Sequence, residues 1–278
     1  MGIPYGINNI VGKIKIEDSL RILEYAFDNG IHYLDTAESY GNAHEIIGIF
    51  HQEKPSKRFN VITKLPHKLN SSFDKKVDKY LEQMNIPEID TLMFHSFESY
   101  KRYGISDGKD LEELKLRGKI KSFGVSVYTN DEIDEVIPDK NVDVIQLPFN
   151  LFDNENLRAE VIKKIKSSGK KIHTRSAYLQ GLFFKELDSK NELIQSLSSE
   201  LLYIKEISKE FKIPIHQLAL NYCLQQSQID NVLIGVDSMK QLERNLKAAN
   251  QKLSDSIMNK INKIRIENLT LINPSLWS

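Results

Sequence analysis

The sequence predicts an α/β fold, specifically a parallel (β/α)8 barrel of the TIM type. Short apolar, β-rich segments alternate with amphipathic segments along the whole chain. This alternation is typical of parallel sheets, because each strand needs a helix that returns the chain to the starting edge. No G-x-G-x-x-G sequence follows any apolar segment, which argues against a dinucleotide-binding open sheet. An open flavodoxin-like sheet remains compatible with the pattern.

Seven apolar segments are predicted as strands. They cover residues 31–35, 61–64, 89–95, 121–126, 142–146, 171–174 and 231–235. The segments between them carry apolar residues at helical spacing, as at Leu20, Leu23 and Phe27. Gly30 and Gly169 stand where a predicted helix gives way to a strand, as a left-handed C-terminal cap requires.

The order of these elements leaves the first strand of the barrel unaccounted for. A predicted helix over residues 17–29 precedes the first clear strand, whereas an eightfold barrel begins with a strand. Residues 1–12 are rich in Gly and Asn, and Pro4 and Gly6 interrupt them, so they do not predict a strand. We therefore expect a barrel whose first strand is missing from the chain. An open seam of this kind is compatible with a monomer or with self-association through the exposed edges.

Length and composition favour one domain, residues 1–278. The chain has 40% hydrophobic and 27% charged residues, with no low-complexity linker or internal repeat. Single α/β barrels commonly reach about 250 residues. The 38 basic residues balance the 38 acidic ones, so no net charge attracts nucleic acid or an anionic membrane. We expect a small-molecule partner instead.

Other features bound the location and the cofactor class. The start of the chain lacks a secretion signal, and no segment has about 18 uninterrupted apolar residues, so we expect a cytoplasmic protein and no membrane partner. Cys223 is the single cysteine, which excludes a four-thiolate metal site, and no H-E-x-x-H sequence is present. No metal site is predicted.

Ionisable residues end three successive predicted strands. Asp35, Lys64 and His95 stand at these ends, and Tyr40 follows Asp35 by five residues. Each alone would be an ordinary polar residue at a strand end. Because the carboxyl ends of barrel strands meet at one mouth, we expect the four side chains to form one proton-transfer site.

The chemistry of this set suits proton donation to an oxygen. A phenol with a pKa near ~10 is a poor acid at neutral pH unless a cation stabilises its phenolate. Lys64 supplies such a cation beside Tyr40, and Asp35 offsets the cost of placing an ammonium in a partly dry pocket. His95 is expected to hydrogen-bond the substrate oxygen. Carbonyl reduction needs this proton transfer once a cofactor delivers hydride.

Extended motifs resemble those of the aldo-keto reductases. The segment Leu34-Asp-Thr-Ala-Glu-Ser-Tyr-Gly-Asn-Ala-His-Glu-Ile-Ile-Gly48 is similar to the signature that opens this family. Later matches follow in the same order, at residues 62–64, 118–126, 146–150, 234–235 and 241–245. The resemblance implies an NAD(P)H-dependent oxidoreductase that reduces an aldehyde or ketone to an alcohol. It implies that hydride comes from nicotinamide and that Tyr40, in a tetrad with Asp35, Lys64 and His95, donates the proton.

The resemblance also implies where the nicotinamide ring binds. By position, Ser126 and Gln146 would bind its carboxamide. Many members stack a tyrosine on the ring, but this chain has Arg175, within a segment that resembles a bacterial branch with Arg-Ser at this place. A planar guanidinium can also stack on a ring. Many members have Asn after the serine, where this chain has Val127.

The rest of the cofactor is expected near the last strand. Gly235 and the helix that begins near Ser238 would bind the pyrophosphate, since free N–H groups at a helix start attract anions. Gln241 and Asn245 are the expected adenine contacts. Many members place a basic residue for the 2′-phosphate where this chain has Asp237, so the resemblance implies NADP(H) while NAD(H) stays open.

Two questions remain open at the level of sequence. The departures at Val127 and Asp237 also suit a catalytically weak or inactive nicotinamide-binding regulatory module on the same fold. The bacterial branch with Arg-Ser suggests a sugar-like carbonyl as the substrate.

Overall fold

The seven predicted strands form one parallel sheet. The computed structural model describes Gly12 and residues 14–104, 108–187 and 190–277. Each strand pairs with the next one along the chain, without crossovers. The strands are β1 (Tyr33–Asp35), β2 (Asn60–Leu65), β3 (Ile89–Phe94), β4 (Ile120–Ser126), β5 (Val144–Pro148), β6 (Lys171–Arg175) and β7 (Asn231–Val232). This sequential order excludes the flavodoxin-like arrangement, in which the strand order reverses.

Helices connect the strands, as the alternation predicts. They are α1 (Ile16–Asp28), α2 (Ala43–Glu53), α3 (Phe73–Met84), α4 (Phe97–Ser99), α5 (Gly108–Leu116), α6 (Asn130–Val136), α7 (Glu155–Ser167), α8 (Glu192–Ser196), α9 (Ser198–Phe211), α10 (Ile215–Leu224), α11 (Met239–Ala249) and α12 (Asp255–Ile261). Gly30 and Gly169 follow α1 and α7 with φ angles of +83° and +80°, as expected of C-terminal caps. In the described ranges, no helix combines the length and apolarity needed to cross a membrane.

The two faces of the sheet pack into different apolar clusters. Alternate strand residues face the helices in the main core, for example Val61, Leu92 and Ile145. The opposite face encloses a smaller cluster inside the curved sheet, made of Ile62, Met93 and Val144 with Leu233 beside it. The inner face of the curved sheet is therefore packed with apolar side chains, as barrel interiors are.

Gly124 in β4 makes this inner packing possible. A Cβ atom at this position would lie 2.7 Å from the carbonyl oxygen of Val144 and 2.8 Å from the Cε of Met93. Both distances are shorter than van der Waals contact, so any side chain here would displace the neighbouring strand or the Met93 methyl group. Glycine thus allows the three strands β3, β4 and β5 to curve closely around the interior.

The sheet curves so strongly that the end of β1 comes into contact with β5. Gln146 in β5 donates a hydrogen bond of 2.9 Å from Nε2 to Oδ1 of Asp35 in β1, across three intervening strands. The first and last long helices also meet, because Ile22 and Ala26 of α1 pack with Leu242 of α11. Among the described residues, no hydrogen-bonded pair joins β7 to β1. The predicted absence of an opening strand concerns residues 1–12, of which residues 1–11 lie outside the described residues.

Candidate active site

The four ionisable residues expected at the mouth lie together in the structure. Asp35 is the last residue of β1, Lys64 is next to last in β2, and His95 directly follows β3. The Lys64 ammonium donates a short hydrogen bond to Oδ2 of Asp35. It also lies 5.6 Å from the centroid of the Tyr40 ring, whose centroid is 5.7 Å from that of His95. We call these four residues the tetrad.

Lys64 is the most buried member of the tetrad, with 1% of its surface exposed. Burial lowers the pKa of its ammonium, and the neighbouring Asp35 carboxylate opposes this shift. Asp35 is itself held on both sides, since Oδ2 accepts from Lys64 and Oδ1 accepts from Gln146. The ion pair therefore keeps a cation beside the Tyr40 ring in a place where an isolated ammonium would be costly.

His95 is a neutral imidazole at physiological pH. Burial, together with the positive charge of Lys64, lowers its pKa to about 3. Its Nδ1 lies 3.3 Å from the hydroxyl oxygen of Ser39. No described residue hydrogen-bonds its Nε2, so this nitrogen remains for a ligand. A neutral imidazole offers one N–H donor and one acceptor and adds no charge to the mouth.

A partly buried ion pair anchors the loop that carries Tyr40. Glu38, two residues before Tyr40, accepts hydrogen bonds of 2.7 and 2.9 Å from Lys76 and one of 2.5 Å from the hydroxyl of Tyr80. Both donors are buried residues of α3. Burial opposes ionisation of Glu38, but these hydrogen bonds outweigh it and lower its pKa. The loop is thus fixed to the helix layer as well as to the sheet.

His44 adds a further link between α2 and the sheet. Its Nε2 lies 2.8 Å from the hydroxyl oxygen of Thr63 in β2, and its ring meets the Tyr80 ring edge-on at 4.9 Å. Burial lowers the pKa of His44 to about 4. A neutral His44 therefore locks α2, which follows the Tyr40 loop, against the strand that carries Lys64.

Arg175 organises the opposite side of the mouth, at the ends of β4 and β6. Its Nε donates to the Ser126 hydroxyl at 3.3 Å, and its Nη2 donates to the carbonyl oxygen of Val127 at 3.1 Å. The guanidinium carbon lies 4.1 Å from the centroid of the Tyr128 ring. The side chain is therefore held flat at the end of β6, in contact with the residue predicted to bind a carboxamide.

Gln146 lies inside the curved sheet, between the tetrad and the Arg175 side of the mouth. It is fully buried, and its Nε2 is used by Asp35. Its Oε1 is also buried and has no hydrogen-bond partner among the described residues. An unpaired buried amide oxygen is costly, and native proteins usually satisfy it. Oε1 can therefore accept a hydrogen bond from a ligand that enters the mouth.

The residues expected near the far end of a cofactor form a separate group around the start of α11. They are Gly235, Asp237, Ser238, Gln241 and Asn245. The Ser238 hydroxyl caps the helix by accepting from the backbone N–H of Gln241 at 3.3 Å, and the Gln241 side chain accepts from the N–H of Asp237 at 2.7 Å. Burial raises the pKa of the Asp237 carboxyl. Two of the predicted contact residues therefore serve first to shape this helix start.

Asn245 links the α11 group to the loop after β6. It is 3% exposed, and its Oδ1 accepts a hydrogen bond of 2.9 Å from the hydroxyl of Tyr178. Tyr178 is three residues beyond Arg175. The adenine contact predicted at Asn245 thus rests on a side chain whose oxygen already has a partner inside the protein.

Several residues with roles in this geometry were not singled out from the sequence, among them Lys76 and Tyr80 on α3. Glu38 and Ser39 lie within the motif that carries Tyr40, and Tyr128 and Tyr178 lie close to predicted cofactor residues. His67, three residues after Lys64, stacks on His95 with a centroid distance of 4.9 Å and an interplanar angle of 16°. Its position just after a strand could have marked His67 as a residue of the mouth. The sequence could not show that it stacks on His95, which is 28 residues away.

A curved parallel sheet with ionisable groups at the carboxyl ends of its strands is the arrangement in which barrel enzymes carry their active sites. The profile of the Aldo/keto reductase family matches residues 3–266, so this chain belongs to the aldo-keto reductases. The resemblance expected from the sequence is confirmed.

Proteins of this family are similar to the chain over most of its length. L-galactose dehydrogenase of Arabidopsis thaliana is 24% identical, covering 88% of this chain and 82% of its own. D-threo-aldose 1-dehydrogenase of a Pseudomonas species is 22% identical, covering 87% and 86%. The NADH-specific methylglyoxal reductase of Escherichia coli is 24% identical, covering 82% and 81%. Together with the family match, these relatives assign the chain to the carbonyl-acting oxidoreductases.

A solved structure of the family shares the fold. The holo form of an aldo-keto reductase from Bacillus halodurans superposes with a TM-score of 0.76 at 21% identity, covering 94% of each chain. The seven-stranded parallel sheet with its helices therefore matches the aldo-keto reductase barrel fold.

Proposed function

We propose that this protein reduces an aldehyde or ketone to an alcohol with NADPH or NADH, and that Tyr40 donates the proton. The observation that carries the proposal is the position of the buried Lys64 ammonium, 5.6 Å from the Tyr40 ring and ion-paired with Asp35. The family match and the names of the relatives support the same reaction type.

Each member of the tetrad has a distinct role in the proposed proton transfer. Tyr40 gives its phenolic proton to the carbonyl oxygen as negative charge develops there. Lys64 stabilises the resulting phenolate, and Asp35 keeps Lys64 charged despite its burial. His95, with a pKa of about 3, donates a hydrogen bond from a neutral ring and orients the carbonyl oxygen toward Tyr40.

The residues around Gln146 fit a nicotinamide. Its buried and unpartnered Oε1 is an acceptor for the amide N–H of the nicotinamide carboxamide, and the Ser126 hydroxyl is a donor for the carboxamide oxygen. Arg175 would lie against the ring through its planar guanidinium. A bound nicotinamide supplies the hydride that the carbonyl carbon receives.

The start of α11 fits the anionic part of the cofactor. Ser238 caps this helix, and the backbone N–H groups of its first turn favour a pyrophosphate next to Gly235. Asp237 disfavours a 2′-phosphate and favours a ribose hydroxyl. We therefore keep both NADP(H) and NAD(H) in the proposal, with Gln241 and Asn245 as the residues that would contact the adenine.

We also propose that residues 1–278 form one barrel domain. The contact between α1 and α11, through Ile22 and Leu242, supports it because the two ends of the helix layer pack together. The substrate is proposed to be a small carbonyl compound. The relatives named for galactose and for aldoses support a sugar-like one.

The variant Tyr40→Phe tests the proton donor. We expect turnover of aldehydes to fall by about 10²-fold or more, since a positioned general acid typically contributes that much. Fluorescence titration with NADPH and NADH should give the same dissociation constants as in the wild type, and it also decides which cofactor binds more tightly. Tyr203→Phe, in α9 and outside the mouth, is the matched control and should keep full activity.

Two outcomes would contradict the proposal. If Tyr40→Phe kept full turnover, Tyr40 would not be the proton donor. Tight cofactor binding by the wild type with no oxidation of the reduced cofactor by any aldehyde or ketone tested would favour a regulatory module instead.

A further inference from the structure

A second histidine is built into the mouth beside His95. His67 follows β2 by two residues, and its ring lies nearly parallel to that of His95, with 4.9 Å between the centroids. Its ring is exposed to solvent. The tetrad chemistry gives this residue no role, although it is in direct contact with the imidazole proposed to orient the substrate oxygen.

His67 is held in place by its side chain and by its backbone. Its Nδ1 lies 3.3 Å from the hydroxyl oxygen of Ser96, and its carbonyl oxygen accepts a hydrogen bond of 3.3 Å from the hydroxyl of Ser99. Two residues later, the N–H of Leu69 donates to the hydroxyl of Tyr103 at 3.4 Å. Ordering an exposed side chain costs conformational entropy, which the stacking on His95 and the contact with Ser96 offset.

The serine contacts leave the same nitrogen available on both rings. Ser39 is near Nδ1 of His95, and Ser96 is near Nδ1 of His67. Neither Nε2 has a hydrogen-bond partner in the described part of the chain. Each of the two stacked imidazoles thus keeps one nitrogen that can donate or accept a hydrogen bond according to its tautomer.

We propose that His67 binds a hydroxyl group on the carbon next to the substrate carbonyl, so that the enzyme selects 2-hydroxy aldehydes and ketones over plain alkyl ones. This inference rests on the proposed carbonyl reduction. When His95 holds the carbonyl oxygen, substituents on the adjacent carbon lie within reach of the stacked ring. A hydroxyl there is both a donor and an acceptor, which matches a neutral imidazole in either tautomer.

The selection follows from what each substrate leaves unsatisfied. A hydroxyl bound by His67 exchanges its hydrogen bond to water for one to the protein. An alkyl chain displaces the water from His67 and forms no hydrogen bond in its place. Sites that hydrogen-bond a substrate hydroxyl discriminate against analogues that lack it. The preference is expected in kcat/KM, because the hydroxyl stays bound as the carbonyl reacts.

The test compares 2-hydroxypropanal with propanal, which differ only in the hydroxyl. Rates are referred to the free aldehyde in solution. The wild type is expected to prefer 2-hydroxypropanal. His67→Leu replaces the imidazole with an apolar side chain of similar length. It should lower kcat/KM for 2-hydroxypropanal about 5-fold, the usual contribution of one neutral hydrogen bond, and leave kcat/KM for propanal unchanged. His67→Gln restores a donor and an acceptor and should recover part of the preference.

Propanal separates substrate binding by His67 from a structural effect on His95. If His67 only supports the His95 ring, His67→Leu will slow both aldehydes by the same factor and the preference will persist, which overturns this inference and leaves the proposed function intact. Equal rates of the two aldehydes with the wild type would overturn it as well. If the wild type reduces neither aldehyde nor any other carbonyl compound tested, the proposed function fails and this inference fails with it.

Discussion

The two halves of the mouth differ in how their polar groups are satisfied. In the half formed by β1 to β3, charged groups are paired within the protein, as in Lys64 with Asp35 and Lys76 with Glu38. Of the seven buried side-chain polar atoms without a partner among the described residues, two belong to this half, those of Thr36 and Asn42. The other five follow β4 in the chain and include Oε1 of Gln146.

This difference indicates that the two halves have different roles, proton transfer in one and cofactor binding in the other. A half whose charged groups are paired holds those charges in fixed positions, which suits proton transfer. In the other half, the buried Oε1 of Gln146 is an acceptor without a donor among the described residues, which suits the nicotinamide proposed for Gln146 and Ser126. Gln146 connects the two halves, because its Nε2 is used by Asp35 while its Oε1 stays unpaired.

The largest effect is expected from Lys64→Met, which removes the central charge of the paired half. Tyr40 would lose the cation that stabilises its phenolate, so turnover should fall by about 10³-fold or more. The substitution removes no side chain of the cofactor half, and Asp35 still accepts from Gln146, so the dissociation constant for NADPH or NADH should change by less than about 2-fold. Lys68→Met, at an exposed lysine four residues later, is the control. A large loss of cofactor affinity in Lys64→Met would contradict the separation of the halves.

A smaller effect is expected on stability from Glu38→Ala. The variant leaves the buried Lys76 ammonium without its partner, and breaking a buried ion pair typically costs about 3 kcal/mol. Urea unfolding should report this loss. Glu98→Ala, at an ion pair whose carboxylate is 81% exposed, should cost under about 0.5 kcal/mol. Similar losses in the two variants would mean that the Tyr40 loop is not anchored through Glu38.

The smallest of the three effects is the acid sensitivity of His44. Its pKa in the folded protein is about 4, below the ordinary value of 6.5. Above pH 6.5 both the folded and the unfolded states keep this ring neutral. As the pH falls from 6.5 toward 4, the unfolded state binds the proton first, so stability decreases, by about 2 kcal/mol at pH 5.

Urea unfolding at pH 7 and pH 5 measures this contribution. The wild type should lose more stability between the two pH values than His44→Asn does, by the amount that His44 contributes. His32→Asn, at an exposed ring, is the control and should lose as much as the wild type. If His44→Asn loses as much stability as the wild type on acidification, the locking of α2 onto β2 does not depend on a neutral imidazole.

Much of the fold could be predicted because it depends on local patterns. The seven strands and their order follow from apolar segments that alternate with helical ones, and a parallel sheet is the arrangement that such alternation allows. The boundaries were less accurate. The strand predicted over residues 231–235 is limited to Asn231–Val232, and the one predicted from residue 31 begins at Tyr33. Strand ends depend on pairing with neighbours, and each of these outer strands has one neighbour among the described residues.

The sequence by itself determined the family, the alternation of elements, and the placement of Asp35, Lys64 and His95 at consecutive strand ends, because strand ends of a parallel barrel share one mouth whatever the loops do. Only the tertiary structure decided the partners of the loop residues. Glu38 meets Lys76 on α3, and His67 meets His95 across 28 residues, because a side-chain contact depends on the path of two loops and not on the spacing within either one.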